Sequence, residues 1–282
     1  MLVSIITINR NNAFGLEKTM ESVLSQDRTD FEYIVVDGAS SDGSIGIVQR
    51  FAPSFGDRLK WVSEPDKGIY NAMNKGIRMA EGEYVEFVNS GDVLVSENVI
   101  QRMYKALEES GYPSILYGNM LKEMQDGCVF RDKCFAGEEM TLLGFYHGTL
   151  NHSPTWIRRD LFDKYGLYDE ALKIDSDWKW FLQAIILGEE RPAYINIDVT
   201  RFDMTGISET NKELAWKEKE KELSTLIPVP ILRDYEQWFF PIHQMKRLQR
   251  HPWAYKMVWL LERCLFKMEK CCRKKTRIKG WD

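Results

Sequence analysis

No stretch of the 282 residues approaches the roughly 20 consecutive apolar positions that a membrane-spanning helix needs. The opening run Leu2-Val3-Ser4-Ile5-Ile6-Thr7-Ile8 is apolar, but it has neither the basic flank nor the small-residue cleavage site of a signal peptide. A cytoplasmic protein is therefore expected. Cysteine is scarce: Cys128, Cys134, Cys264, Cys271 and Cys272 are odd in number and form no paired CxxC spacing. This excludes a disulfide framework and the usual zinc-site spacing, and points to free thiols in a reducing compartment. No GxGxxG follows the first apolar run, which disfavours an NAD-type fold. Internal repeats and low-complexity segments are absent as well.

What is present is the composition of an ordinary globular protein, 44% hydrophobic and 28% charged. The length suits one large α/β domain with an appendage, or two modest domains. The formal net charge of −4 is unevenly spread. Residues 243–282 hold 12 Lys/Arg against 3 Asp/Glu, so the preceding 242 residues carry −13. Such a basic tail suits a partner of its own, such as an anionic membrane surface, and nothing points to nucleic acid.

Short β-branched runs alternate with helical periodicities along the first 120 residues. Leu2–Ile8 reads as a buried strand, and Leu16, Met20, Val23 and Leu24 then mark one face of a helix. Tyr33–Val36 is a second strand, closed by the turn formers Asp37–Gly43, whose last polar residues suit the cap of a helix to about Phe51. A third strand, Leu59–Val62, leads through Glu64-Pro65-Asp66-Lys67-Gly68 to a helix with Ile69, Met73, Ile77 and Ala80. Tyr84–Val88 is the fourth, running out into Asn89-Ser90-Gly91-Asp92. Ser96 can cap a helix holding Ile100, Met103 and Leu107, and Ser114–Tyr117 forms a fifth strand. This alternation predicts βαβ units with right-handed crossovers and a mainly parallel sheet.

Thr7, Asn9, Asp37, Glu64, Asp66 and Asp92 all stand at or just past strand carboxyl ends, which parallel strands bring to one rim. That rim is where open α/β sheets bind ligands. Each of these residues taken alone reads equally as a helix cap or solvated loop residue. Together they suggest a nucleotide and metal site.

After about residue 120 the alternation stops. Strands are expected near Cys128–Phe135 and Thr155–Arg158, with a short helix over Glu138–Phe145. Trp178, Phe181, Leu182 and Ile185 define a well-packed helix reaching Leu187. Asp175, Ser176 and Asp177 stand at its start, where the dipole keeps a carboxylate ionised. Asp177 is either a helix cap or a general base held at a rigid helix start. Asn211–Glu222 reads as a solvated helix or linker. Beyond Pro228-Val229-Pro230, Trp238, Phe239, Phe240, Trp253, Trp259, Leu260, Leu261, Leu265 and Phe266 interleave with Lys and Arg. That pattern fits a membrane-surface anchor, or a helix packing on its own domain or on a second subunit.

Several blocks, in order, resemble one known family: Val3–Thr7, Ser22–Gln26, Val36–Gly43, Ser63–Gly76, Gly82–Tyr84, the acidic turn and Ser176-Asp177. The chain resembles an inverting family-2 glycosyltransferase of the GT-A (nucleotide-diphospho-sugar transferase) fold over roughly residues 1–210. The resemblance implies a Rossmann-like, mainly parallel sheet with flanking helices, divided into a nucleotide half (1–120) and an acceptor and base half (121–210). Residues 211–282 would then form a C-terminal helical extension. It also implies sugar transfer from a nucleoside diphosphate donor, UDP-linked by preference, to an acceptor hydroxyl. By the same resemblance Thr7, Asn9, Asp37, Asp66 and Ser90 line the nucleotide pocket. Asp92 lies by the diphosphate and its Mg²⁺ or Mn²⁺, and Asp177 is the base. His147, His152, Trp178 and Trp180 fall near the acceptor side, where each has core packing as its alternative.

The sequence departs from the family at the turn. The usual Asp-x-Asp triplet has Asn89 and Gly91 in its acidic slots, leaving Asp92 one position later. Gly38 also follows Asp37, where many relatives have a second Asp. Two enzymatic readings and one binding reading follow. The first is a hexosyl- or N-acetylhexosaminyltransferase building a surface polysaccharide or lipid-linked glycan at the inner membrane face. The second is a sugar nucleotidyltransferase, disfavoured because Asn9-Arg10-Asn11-Asn12 replaces a glycine-rich basic loop. The third is a nucleotide-sugar-binding subunit whose degenerate turn has lost metal function. A homodimer is compatible with all three.

Overall fold

The computed structural model describes residues 3–123, 128–204 and 211–275. Four strands, β1 (Val3–Asn9), β2 (Glu32–Asp37), β3 (Leu59–Ser63) and β4 (Tyr84–Phe87), lie parallel in the order β3-β2-β1-β4. Helices α1 (Ala13–Leu24), α2 (Ser44–Phe55) and α3 (Ile69–Met79) supply the connections. The register sets Asn9 beside Asp37, and Asp37 beside Ser63. Three polar strand ends therefore come level at one rim. The helical periodicity is realised in packing: Leu16, Met20 and Val23 of α1 are buried with Val3, Ile5 and Met103 in one apolar cluster.

The second half is built differently from the mainly parallel expectation. β8 (Thr155–Arg158) inserts antiparallel between β4 and β6 (Ile115–Glu123). β9 (Ala193–Phe202) runs parallel to β6, with β5 (Val93–Leu94) antiparallel at its outer side and β7 (Val129–Asp132) paired to β6. The described residues thus form a mixed nine-stranded sheet ordered β3-β2-β1-β4-β8-β6-β9-β5, with β7 on β6. β6 outruns the expected end at Tyr117, because Gly118 acts as a close-approach residue at an irregularity in the β6–β9 register and not as a turn. A Cβ there would lie 2.6 Å from the Ile197 carbonyl oxygen.

Helix α4 (Val99–Glu109) packs Ile100, Met103 and Leu107 inward as expected. The short helix expected over Glu138–Phe145 begins later, as α5 (Leu142–His147), where Thr141 Oγ1 caps the Gly144 amide. α6 (Asp160–Tyr165) follows β8, and α7 (Ser176–Phe181) continues as a π-helical stretch, Leu182–Leu187. α8 (Lys212–Leu226), α9 (Val229–Gln249) and α10 (Pro252–Lys275) complete the described chain. The chain divides into two compact units, residues 1–222 and 223–282. Among the described residues, no helix is long and apolar enough to cross a membrane, and Cys134 and Cys264 are free thiols.

Glu86 is an oddity of the core. It lies on β4 between Tyr84 and Val88, is fully buried, and neither carboxyl oxygen has a hydrogen-bond partner among the described residues. Burial pushes its carboxyl up to about 8, against a smaller pull from the Trp156 indole N–H, although no hydrogen bond joins the two. The unfolded chain ionises at the ordinary carboxylate pKa while the folded chain stays protonated. Stability therefore falls as pH rises from the ordinary value toward 8. At neutral pH the loss is on the order of 3 kcal/mol. Glu86→Gln should flatten this dependence, so that its Tm exceeds wild type by a margin that widens between pH 5 and pH 8. A constant margin across that range would show that Glu86 is ionised in the fold.

Candidate active site

The rim is built from polar strand ends that hold one another. Asn9 Nδ2 donates to Asp37 Oδ1 at 2.7 Å, and Ser63 Oγ and the Ser40 amide donate to Asp37 Oδ2 at 2.7 and 2.9 Å. Burial alone would raise the Asp37 carboxyl, but donors from Ser40, Ser63 and Asn9 outweigh it and hold Asp37 below its ordinary value. Asp66 joins the same corner. Its Oδ2 stands 2.9 Å from where a Cβ on Gly38 would be, so the glycine after Asp37 makes room for a carboxylate from the next loop. Lys75, two turns into α3, grips Asp66 at 2.6 Å and Glu64 at 2.8 Å.

Ser90 Oγ donates to the Asn12 carbonyl, and the Ser90 amide bonds to Ile8, tying the turn after β4 to β1. Thr7 departs from its expected place in the pocket. It is fully buried, donates to the Val88 carbonyl at 2.6 Å and meets the Tyr33 hydroxyl at 2.9 Å, so it braces the turn from beneath. Asp92 is also buried. Its Oδ1 accepts the Asp203 amide at 2.8 Å and its Oδ2 accepts Ser153 Oγ at 3.2 Å. Burial pushes the Asp92 carboxyl up to about 6, against the Asp203 amide, His152 and Ser153, which favour its charged form.

Asp177 sits one residue into α7, with its side chain 16% exposed. The Tyr70 hydroxyl lies 2.9 Å from Oδ1, and His152 Nδ1 lies 3.1 Å from Oδ2. Asn89 Nδ2 donates to His152 Nε2 at 3.2 Å, which leaves Nδ1 carrying the proton given to Asp177. Burial would raise Asp177, but His152 and Tyr70 together hold it below the ordinary carboxylate value. The residue is ionised and aimed, with a second lone pair on each oxygen still available. His152 is itself raised: burial opposes its charged form, and the hydrogen bond and charge of Asp177 outweigh that. His152 and Ser153 thus bind the base and Asp92 from adjacent positions, which joins the two halves of the rim.

Within Ser63–Gly76 the expected site residues are Glu64 and Asp66, and no role is expected for Tyr70, Asn71 or Asn74. In the fold, Tyr70 reaches Asp177 and the Ile174 carbonyl, while Asn71 and Asn74 clamp Glu170 at 2.8 and 2.9 Å. The charged segment beyond Asn211 is also more than a solvated helix. Glu218 on α8 accepts the amides of Lys173, Ile174 and Asp175 at 2.8, 2.9 and 3.3 Å, fixing the loop that precedes the base. Lys219 Nζ donates to the Gly148 carbonyl and lies 4.9 Å over the Trp178 ring. Burial lowers its ammonium below the usual value, against the pull of Asp175 and Asp177. Asp175 is raised to about 7, by burial first and then by the Asp177 charge.

Trp178 is not on the acceptor side in this fold. It is 1% exposed and its indole N–H donates to the Phe145 carbonyl at 2.8 Å. Trp180 is equally buried and donates to Gly166. Both are core residues beneath the base. His147 closes α5, and its side chain lies outside the described residues.

Residues 4–169 match the family model described as glycosyl transferase family 2. The chain belongs to that family. It is a glycosyltransferase by sequence kinship as well: it is 33% identical over 208 residues to an uncharacterised glycosyltransferase of Mycobacterium tuberculosis H37Rv, covering 73% of this chain and 76% of the relative. A PGL/p-HBAD biosynthesis glycosyltransferase of Mycobacterium bovis BCG is 27% identical over 214 residues, covering 74% and 80%. The GT-A fold is shared with Staphylococcus aureus TarS 1-349 in complex with UDP-GlcNAc, at a TM-score of 0.63 and 20% identity, over 84% of this chain and 73% of that one. It is also shared with the mannosyltransferase PcManGT of Pyrobaculum calidifontis in complex with GDP-Man and Mn²⁺, at 0.58 and 19%, over 77% and 60%. The chain spans 44% of a longer TarS structure.

Proposed function

We propose that this glycosyltransferase moves a sugar from a nucleoside diphosphate donor, UDP-linked by preference, to an acceptor hydroxyl with inversion, using Asp177 as the base. The observation that carries the reading is the Tyr70–Asp177–His152 triad joined through Ser153 to Asp92. It sets an ionised carboxylate across the rim from the turn expected at the diphosphate. The acceptor O–H gives its proton to Asp177 as its oxygen bonds to the sugar's anomeric carbon, and the bond from that carbon to the diphosphate breaks on the opposite face. Asp37 and Asp66, with Asn9 and Ser90 beside them, provide the acceptors and donors for the nucleoside.

The residues also fit the divalent cation that the family resemblance implies. Among the described residues there is no cluster of three or more metal-binding side chains. One or two carboxylates with substrate phosphates and waters is nevertheless a normal donor set for Mg²⁺ or Mn²⁺. Asp92 would hold it, and the cation would neutralise charge on the departing diphosphate. PcManGT, seen with GDP-Man and Mn²⁺, supports this, and TarS seen with UDP-GlcNAc supports a nucleotide-sugar donor. A panel of UDP-, GDP- and dTDP-sugars with Mn²⁺ tests the reading. Nucleotide binding without turnover of any donor would instead assign the chain to a binding subunit.

The glycan precursors expected as acceptors place the enzyme at a membrane face. On α10, Trp253, Met257, Leu261 and Leu265 recur every fourth residue and are 74%, 56%, 61% and 60% exposed, among Lys256, Arg263 and Lys267. An apolar stripe among cations suits an anionic bilayer surface. Residues 276–282 of the basic tail lie outside the described residues. The full chain should sediment with phosphatidylglycerol vesicles and lose that binding when residues 243–282 are deleted. Equal binding by the truncated chain would make the tail a protein-packing element.

A further inference from the structure

The turn that departs from the family motif is completed from elsewhere in the chain. Gly91 has φ +107°, a conformation that side chains with a Cβ rarely adopt. A Cβ built there would lie 2.4 Å from Asp203 Oδ2, 3.0 Å from Asp203 Cβ and 3.1 Å from its Cγ. The space that a residue-91 side chain would enter is already filled by the Asp203 carboxylate. An aspartate at 91 would require the Asp203 side chain to leave its present position.

Asp203 is fixed in this place. β9 pairs antiparallel with β5, setting Arg201 opposite Val93 and Thr200 opposite Leu94, so the end of β9 is delivered to the turn just before β5. The Asp203 amide then donates to Asp92 Oδ1 at 2.8 Å. The turn itself does not slide, since the Gly91 amide bonds to Thr19 Oγ1 at 3.0 Å and Thr19 Oγ1 reaches the Asp92 carbonyl at 2.7 Å. Asp203 is half-buried beside Gly91, while Asp92 is buried. Two carboxylates that influence each other at the place expected for a diphosphate suit a cation between them.

We propose that Asp203, at the end of β9, supplies the carboxylate that position 91 lacks, and is with Asp92 a ligand of the divalent cation at the diphosphate. The inference rests on the nucleotide-sugar reading above, and its test separates the two. Mn²⁺ binding is measured by electron paramagnetic resonance on the full chain, with and without UDP. Asp203→Asn should weaken Mn²⁺ by about tenfold or more in the presence of UDP. UDP affinity in excess EDTA should stay within about twofold of wild type, and Asp203→Glu should recover part of the Mn²⁺ affinity. A merely structural Asp203 would change Tm and leave Mn²⁺ affinity unaltered, which overturns the proposal. So does wild-type protein that binds UDP but not Mn²⁺.

A second measurement needs no variant. Wild-type protein loaded with Fe²⁺ in place of Mn²⁺ and exposed to ascorbate and peroxide should be cleaved near both residue 91 and residue 203. Cleavage near 91 alone overturns the role of Asp203. Absence of turnover with every donor would overturn the transferase reading and leave the Mn²⁺ and cleavage results to decide Asp203 by themselves.

Discussion

Replacing Asp177 by Asn is expected to lower transfer by about two to four orders of magnitude, the usual contribution of a positioned base. UDP affinity should stay within about twofold of wild type. The two halves of this expectation have different origins. Asn has the same shape, and its amide oxygen accepts from one of the two donors now serving the carboxylate. Its NH₂ group faces the other donor and cannot accept an acceptor proton. If the amide nitrogen faces His152, the ring must turn its unprotonated nitrogen toward position 177, which reverses the tautomer that Asn89 now selects. The nucleoside corner is gripped from within, by Asn9, Ser40 and Ser63 on Asp37, and should not register the change. Turnover assays on the productive donor, with calorimetry for UDP, check both halves. An Asp177→Asn enzyme that turns over within tenfold of wild type would remove Asp177 from the base role.

Asp177 was legible in the sequence because a carboxylate at a helix start leaves a local signature, with Trp178, Phe181, Leu182 and Ile185 marking the helix behind it. The rim was legible for the same kind of reason. Asn9, Asp37 and Asp66 each follow a short β-branched run, and parallel pairing brings such ends together. What escaped depends on contacts between distant segments. Tyr70 occupies an apolar-looking helix position and is 4% exposed, so nothing local distinguishes its hydroxyl, placed at Asp177, from a core tyrosine. Thr7 and Trp178 show the reverse case. Trp178 follows Asp177 directly and Thr7 stands two residues before Asn9, but each side chain is covered by partners distant in sequence, Phe145 for Trp178 and Val88 with Tyr33 for Thr7. The insertion of β8 between β4 and β6 has no local signal either, since a strand pattern carries no information about its neighbours. Glu218 and Lys219 lay hidden in a segment whose charge density suggested solvent, and only the fold shows which face turns toward the loop at residues 173–175.

Replacing His152 by Ala should cut kcat by about ten- to a hundredfold at neutral pH, the effect of losing one charge-assisted hydrogen bond worth about 1–3 kcal/mol. Its more diagnostic effect is on the pH profile. Burial pushes Asp177 up, and His152 and Tyr70 pull it down further than burial raises it. Without the imidazole, burial meets weaker opposition, so the base ionises at higher pH. The acid limb of kcat should therefore move upward in pH. The stability signs follow from the same pair. Asp177 is depressed in the fold, so its contribution is present above the ordinary carboxylate pKa and is lost as pH falls through the lowered value. His152 is raised in the fold, so its contribution is present below 6.5 and is lost as pH rises through the raised value. Both contributions coexist only between the carboxylate and imidazole ranges, and the Tm deficit of His152→Ala should be greatest there and shrink on either side. Protonating Nε2 of the wild-type ring requires the Asn89 amide to turn its oxygen, which now has no hydrogen-bond partner among the described residues, toward the imidazole. Asn89→Asp should accordingly strengthen the charged ring and shift the imidazole titration, followed by NMR, to higher pH. An acid limb that stays in place in His152→Ala, together with a Tm deficit independent of pH, would show that His152 fills space beside Asp177 without setting its basicity.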